Sequence, residues 1–437
     1  MSTSLPDLHP DPNAEGVPQR IGLALSGGGL RATLFHLGVV RFLFETGTLS
    51  RVQFVGGVSG GSILGMHLGL RWEQYVGNAA AFDTAARDII AFCRRDVRNR
   101  ILRRWVFACV TVVPRLLGLW SRTSLLVAEY RNLFGHATLG DLLPSDTVAR
   151  PRVIAQSVSL STGQPCSFGR SGFMWYESDD SGFLREREVS RRTPHLPVAL
   201  AVAASSAFPP MFPPVRITAG LLHVGKNEFP HDQYVTDGGV YDNLGVERPL
   251  WYFEQQKELD AFIVSDAGGM FDWGFGTYGL SLPRNLRATE ILMKRVGDLV
   301  YQRLIDRKQH AFVTLSIADA TDSLGALALP PAVQRRVGRI RTDLDAFSDV
   351  EIDSLIRHGY SVAREAFERR GWIARGTPHC AWAPVGSTQM GAGEWAECLR
   401  QSSRSRWRTL FSFTDWPIWT AAVIVSVTAF LIARFLS

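Results

Sequence analysis

The sequence predicts an α/β protein built on a mainly parallel central sheet with helices on its faces. Three observations carry that prediction. Residues 21–26 and 52–58 are short apolar runs of strand length. Each runs into a glycine-rich turn, Ser26-Gly27-Gly28-Gly29 and Gly57-Val58-Ser59-Gly60-Gly61. Each turn opens onto a stretch with helical spacing, residues 30–45 and 62–75. Strand, turn and helix repeated in this way are the signature of parallel strands joined by crossover helices.

The remaining elements follow in chain order. Leu34, Leu37, Val40, Phe42 and Phe44 line the first helix, and Gly47 is its natural stop. Gly60, Gly61 and Ser62 are small residues at the start of the second helix, where backbone must approach closely. Residues 94–120 are unusual. Arg94, Arg95, Arg98, Arg100, Arg103 and Arg104 lead into an apolar stretch from Trp105 that Pro114 interrupts, too short to span a bilayer. Two readings stand for this segment: a basic helix lying on a membrane surface, or a core helix with a solvated arginine face. Residues 152–160 read as a third strand, ended by Thr162-Gly163. Residues 196–204 read as a small-residue helix that breaks at Pro209, Pro210, Pro213 and Pro214. Residues 234–236 lead into the turn Asp237-Gly238-Gly239, and residues 261–265 form a strand ending at Asp266. A long amphipathic helix over 285–305, a late strand over 312–317 and helices over 332–343 and 349–369 complete the pattern. Residues 371–393 are rich in Gly, Pro, Ser and Thr and show no period.

Composition narrows the class. The chain has 437 residues, 46% of them apolar, and a formal charge of +6. That length and apolar content suit a large core. Cys93, Cys109, Cys166, Cys380 and Cys398 are scattered and form no C-x-x-C pair, which argues for reduced thiols rather than a disulfide framework or a zinc site. Neither zinc-finger spacing nor an aromatic-basic stripe is present, so nucleic acid is not the expected partner. The polar N-terminus is unlike a signal peptide. The tail differs: residues 416–433 carry no charge. As a helix they would reach roughly 27 Å, close to the hydrocarbon thickness of a bilayer. Trp416 and Trp419 stand at one end, Arg400, Arg404, Arg406 and Arg408 precede, and only Arg434 follows. The expectation is a single C-terminal membrane span with the catalytic part on the cytoplasmic side. The expected organisation is a flexible segment over 1–19, a main domain over 20–370 with its motif-bearing core in 20–270 and a helical C-terminal extension over 271–370, an irregular basic linker over 371–410 and a transmembrane tail over 411–437.

Ser59 occupies the serine position of G-x-S-x-G, where a tight strand-to-helix turn lifts the hydroxyl and Gly57, Gly60 and Gly61 let the turn close. A serine hydroxyl needs a base to become a nucleophile. None of the ten histidines has a motif of its own. Asp237 has better context, after an apolar strand and before Gly238-Gly239, although Asp-Gly is also an ordinary turn signal. The first glycine loop has two readings. Gly27, Gly29 and Ala32 fit G-x-G-x-x-A, the dinucleotide fingerprint of an oxidoreductase. That fold needs an acidic residue after the second strand to hold the ribose, and none occurs between Glu45 and Glu73. The other reading is a set of backbone N–H groups at a helix start, ready for negative charge.

Taken together, Gly27-Gly28-Gly29-Leu30-Arg31-Ala32, Gly57 to Gly61 and Asp237-Gly238-Gly239 resemble, in that order, the signatures of the patatin-like phospholipase family. The block Ala204-Ser205-Ser206-Ala207-Phe208-Pro209-Pro210 is similar to the family's small-residue and proline stretch. The resemblance covers about residues 20–250. It implies a three-layer α/β/α sandwich and a Ser-Asp dyad with no histidine, Ser59 as nucleophile and Asp237 as base. It further implies an oxyanion hole drawn from Gly27, Gly28, Gly29 and Gly60, with Arg31 ordering the loop or adding charge and Gly57, Gly61, Gly238 and Gly239 in support. Ala32 stands where the family more often has glycine. The activity implied is hydrolysis of lipid esters, phospholipid or lysophospholipid first, with no metal or cofactor. The rivals are a catalytically silent membrane scaffold and, against the missing acid, a dinucleotide-dependent oxidoreductase.

Overall fold

The computed structural model describes residues 16–402 and Val427, except 111–120, 145–148, 179–183, 189–192, 210, 251–257, 269–280, 307–311, 322–328, 375–381, 383 and 386–389. Five strands form a parallel set in the order β10-β9-β1-β2-β3: β1 (Ile21–Leu25), β2 (Val52–Val58), β3 (Arg152–Ser159), β9 (Ala261–Asp266) and β10 (Phe312–Ser316). Helices α1 (Gly29–Glu45) and α2 (Gly60–Leu70) follow β1 and β2 directly, as their spacing predicts. Both faces of the sheet are buried. Leu23 and Leu25 of β1 and Ile263 of β9 point into the larger core, with α1, α2 and the long helix Asp349–Arg369. Ala24, Phe262 and Val264 alternate to the opposite face, where Leu244, Val246, Val300 and Leu304 cover them. Helices on both faces make the three-layer arrangement.

The sheet is not parallel throughout. Strands β4 (Pro165–Gly169), β5 (Gly172–Ser178) and β6 (Leu184–Glu188) extend it beyond β3 as an antiparallel wing. Strand β8 (Gln233–Asp237) also pairs antiparallel with β3, and β7 (Val215–Ile217) pairs with β8. Short strands with mixed Ser, Gly and aromatic content carry little periodicity, which is why only β3 and the run into Asp237 are evident from sequence.

The remaining helices are α3 (Trp72–Tyr75), α4 (Ala79–Cys93), α5 (Val97–Val110), α6 (Arg122–Phe134), α7 (Val198–Ser205), α8 (Ala219–Leu222), α9 (Gly239–Asp242), α10 (Ser281–Asp306), α11 (Pro331–Val337), α12 (Asp349–Arg369) and α13 (Ala392–Ser402). Helix α1 crosses α12 at unusually short range. A methyl on Gly38 would sit 2.0 Å from the Ile356 carbonyl oxygen, and one on Gly359 2.0 Å from that of Phe35. Helix α11 stops at Val337 rather than 343, because the chain there turns to lay the Ile340 and Asp343 carbonyls against the start of α1.

One expectation about the periphery needs correction, and the two readings of 94–120 gain detail. The described arginines of that segment are each held by an acid of the fold, Arg94 at the surface and Arg98 in the interior. Arg94 pairs with Asp349, Arg103 with Asp96 and Arg98 with Asp343. Arg95, Arg100 and Arg104 converge on the buried Glu129 of α6. The stretch 371–410 is not wholly irregular. Its Trp372, Trp382 and Trp395 are buried in the main core, and α13 packs against α11 and α12. Trp382 lies over Arg41, and the Trp395 indole donates to Ser354. Single aromatics spaced through Gly- and Pro-rich sequence leave no period to read. No helix among the described residues is long and apolar enough to cross a membrane. The span expected within 411–437 lies outside the described residues, Val427 apart.

Candidate active site

Ser59 stands alone between β2 and α2, at φ 50° and ψ −117°. A non-glycine residue rarely holds that backbone, and the strain is the mark of an elbow that pushes its side chain out of the turn. Neighbours over-determine it. The Ser59 N–H donates to Ser205 Oγ at 3.0 Å, and the Ser59 carbonyl accepts from Ser62 Oγ at 2.6 Å. The elbow is pressed against the first glycine loop. A methyl on Gly60 would lie 1.9 Å from the Gly29 carbonyl oxygen, and one on Gly61 2.2 Å from that of Leu25. Gly57 backs onto Ser62 in the same way.

Asp237 ends β8, opposite Ser157 of β3, and is 2% exposed. Its carboxylate accepts the Gly239 N–H at 2.7 Å. Burial pushes its pKa up to about 7, against the opposing pull of that N–H and of the nearby Ser59 hydroxyl. Gly238 is packed on the Gln156 carbonyl. Ser59 and Asp237, far apart in the chain, are therefore brought near one another.

Gly28 has φ 145° and Gly29 φ 58°. Gly29 opens α1 and Gly60 opens α2, so their N–H groups have no acceptor within their helices. The N–H groups of Gly28, Gly29 and Gly60 find no partner among the described residues. Gly27 departs from expectation: its N–H donates to the Asn243 carbonyl at 2.9 Å, so it is not a free donor for an oxyanion. It still borders the site, since a methyl there would lie 3.4 Å from Ser59 Cβ. Arg31 is buried and donates to the carbonyls of Ile340 and Ala267, each at 2.8 Å. Burial lowers its pKa to about 10, partly offset by Asp266, so it stays charged at neutral pH. Of its two expected roles, ordering the loop is the one its contacts serve.

Several residues that join these parts escape sequence reading. Ser205 Oγ accepts from Ser59 and donates to the Gln156 carbonyl at 2.6 Å, linking the elbow to β3. The Ala207 carbonyl accepts from Thr236 Oγ1 at 2.6 Å and from the Asp237 N–H at 3.4 Å. The block 204–210 is thus the brace between elbow and aspartate turn, and its small residues were the available signal. Asn243 Oδ1 lies between the positions that methyls on Gly27 and Gly239 would take, at 2.4 and 2.8 Å. Asp242 accepts four backbone N–H groups, from Leu244 to Glu247, and shapes the turn that presents Asn243. His36 is buried between Ser265 Oγ and the Ser26 carbonyl, where burial lowers its pKa to about 4. Among the described residues no histidine hydrogen-bonds Ser59 or Asp237.

The fold and this site define an α/β protein with a strained strand-to-helix elbow at Ser59 and a buried aspartate near it. The family model for patatin-like phospholipase matches residues 23–250, over half the chain, and the chain belongs to that family. Among solved structures the chain is similar to human GIVD cytosolic phospholipase A2, at 14% identity and a TM-score of 0.46, covering 89% of this chain and 63% of that one. It is also similar to VipD from Legionella pneumophila, at 16% identity and a TM-score of 0.33, covering 84% of this chain and 72% of that one. The chain therefore spans less than two thirds of the human protein's structure. A search of curated proteins by sequence finds no match.

Proposed function

We propose that the protein is a serine acyl hydrolase that cleaves lipid esters, phospholipid or lysophospholipid first, through Ser59 and Asp237. One observation carries the reading: the strained elbow sets the Ser59 hydroxyl near a buried carboxylate whose pKa is raised to about 7. A base is most effective when its pKa is close to the working pH.

The chemistry runs in two halves. Ser59 Oγ attacks the ester carbonyl carbon while its proton passes to Asp237. The carbonyl oxygen becomes an oxyanion, for which Gly28, Gly29 and Gly60 hold free N–H groups at two helix starts. Each such donor is typically worth about 3 kcal/mol in the transition state. Collapse breaks the ester C–O bond, and the departing alkoxide takes the proton from Asp237, leaving an acyl-Ser59. Water then attacks that acyl group, loses its proton to Asp237, and the fatty acid leaves as Ser59 recovers its proton. The segment 411–437 would anchor the chain with the catalytic domain on the cytoplasmic side, raising the local concentration of bilayer substrate.

The test is fluorophosphonate labelling of the purified full chain, beside fatty-acid release from a panel of phospholipids and lysophospholipids. The parent is expected to label and hydrolyse, and Ser59→Ala to do neither. Equal labelling of the two proteins, or a parent that neither labels nor hydrolyses, would leave a silent scaffold as the better account.

A further inference from the structure

Half of the large apolar side chains exposed among the described residues lie on one helix. Ile291, Leu292, Val296 and Leu299 of α10 are 52, 67, 37 and 46% exposed. At about 100° per residue, Arg284, Ala288, Ile291, Leu292, Arg295 and Leu299 fall within an arc of about 100° and run for roughly 22 Å along the helix. Val296 sits at its edge. No acidic residue falls in that arc between Arg284 and Leu299. Glu290 lies on the far side and Asp298 about 20° beyond the arc, and they are held by Arg287 and Lys294. Arg284 and Arg295 make no ion pair among the described residues, in contrast to the six arginines from Arg94 to Arg104. The opposite side of α10 is anchored: Val300 and Leu304 pack with Leu244 and Val246, and the helix rests on α9, which begins two residues after Asp237.

We infer that this face of α10 seats the protein on an anionic lipid bilayer. Leu292, Leu299 and Ile291 enter the headgroup boundary, and Arg284 and Arg295 meet lipid phosphates. Aliphatic side chains interleaved with unpaired arginine, on a helix fixed by its other side, fit a surface that is apolar beneath and negative on top. A protein partner of matching shape would need acids placed opposite two particular arginines, whereas a bilayer supplies them everywhere. The inference deepens the lipid-ester reading and rests on it for the direction of use: the docked helix lies on α9, which follows the aspartate turn.

The test uses the full chain carrying Ser59→Ala, presented with phosphatidylcholine vesicles containing none or about 30% phosphatidylglycerol. An environment-sensitive fluorophore is placed at Leu292→Cys in a background carrying Cys109→Ser, Cys380→Ser and Cys398→Ser, with Arg87→Cys on α4 as the control site. The expected result is a blue shift at 292, larger with phosphatidylglycerol, and none at 87. In the catalytically intact chain, Leu292→Glu with Leu299→Glu should lower hydrolysis of vesicle phospholipid about tenfold or more while a dispersed short-chain ester is cleaved within about twofold of the parent. An unshifted label, or full vesicle activity in the glutamate pair, overturns the inference. So does a label already shifted without vesicles, whether a second copy (seen as a dimer by sedimentation) or residues 403–437 of the same chain (seen by crosslinking) covers the face. If the intact parent cleaves neither substrate, the hydrolase reading fails, and the fluorophore alone decides the docking surface.

Discussion

The elbow that carries Ser59 and the turn that carries Asp237 are built on different principles. Ser59 is placed by five consecutive residues. Glycines flank it, β2 ends beneath it, α2 begins beyond it, and its own backbone carries the strain. Asp237 is placed from a distance. Its strand is added antiparallel to β3, its N–H and its neighbour's hydroxyl bind Ala207, and Gly238 leans on Gln156. A serine so placed is a local feature of the chain, while the aspartate depends on long-range pairing. Ser205 and Ala207, two residues apart, brace one side each.

The largest expected effects remove one member at a time, and they should part in stability. Ser59→Ala should lower activity by about 10⁶-fold, as loss of a nucleophile does. Asp237→Asn should lower it by about 10²- to 10⁴-fold, the span of general-base contributions. Asparagine should also stabilise the fold above neutral pH. The folded-state pKa of Asp237, about 7, exceeds the unfolded value, so the folded state binds the proton more tightly. The stability this confers is complete below the unfolded pKa of about 3.9 and is lost as pH rises through the folded one. Thermal melts at pH 8 should therefore place Asp237→Asn about 2–4 °C above the parent, and the gap should close towards pH 5. A lower melting temperature at pH 8 would show that the carboxylate is not held against its burial.

The same titration sets the pH profile. Asp237 accepts a proton only when ionised, so kcat/KM for a dispersed ester should rise with pH and level off above about 7. A profile that is flat from pH 5 to 9 would remove Asp237 from the base role and with it the contrast drawn above.

The difference between the two regions also explains what could be read from the chain alone. Local features were legible: β1 and β2, the elbow, the glycine turns and the order of the motifs. Non-local ones were not. Nothing in Gly27 announces that its N–H is spent on Asn243, because that bond joins residues on separate strands' exits. Gly38 and Gly359 each look like a weak point in a helix, and only the crossing of α1 with α12 gives them a purpose. The arginines from Arg94 onward read equally as surface or core until Glu129, Asp343 and Asp349 arrive to pair with them. The antiparallel wing and the buried tryptophans after Gly371 depend on partners elsewhere in the chain, which no window of sequence contains.

Ser205→Ala tests the brace on the elbow side. It leaves the Ser59 N–H and the Gln156 carbonyl without the hydroxyl that serves both, in a fully buried position. Each unpaired group costs about 1–3 kcal/mol, and the strained turn is free to relax. Activity should fall about ten- to a hundredfold, mostly in kcat, since a displacement near 1 Å at the reacting atom is enough for that. An unchanged kcat would show that glycine packing alone holds the elbow.

Thr236→Val tests the brace on the aspartate side and should have the smallest effect. It keeps the shape of the side chain and removes the 2.6 Å bond to the Ala207 carbonyl. That carbonyl still accepts the Asp237 N–H, and β8 still pairs with β3 at Ser157, Val158 and Ser159. The loss should be about 1 kcal/mol, read as a fall of about 2–4 °C in Tm, with activity within about threefold of the parent. Strand pairing holds the carboxylate by several backbone bonds at once, so one side-chain bond is not decisive. A loss of kcat as deep as that of Ser205→Ala would mean that Asp237 hangs on the Thr236 hydroxyl as Ser59 hangs on Ser205. The two regions would then be built alike.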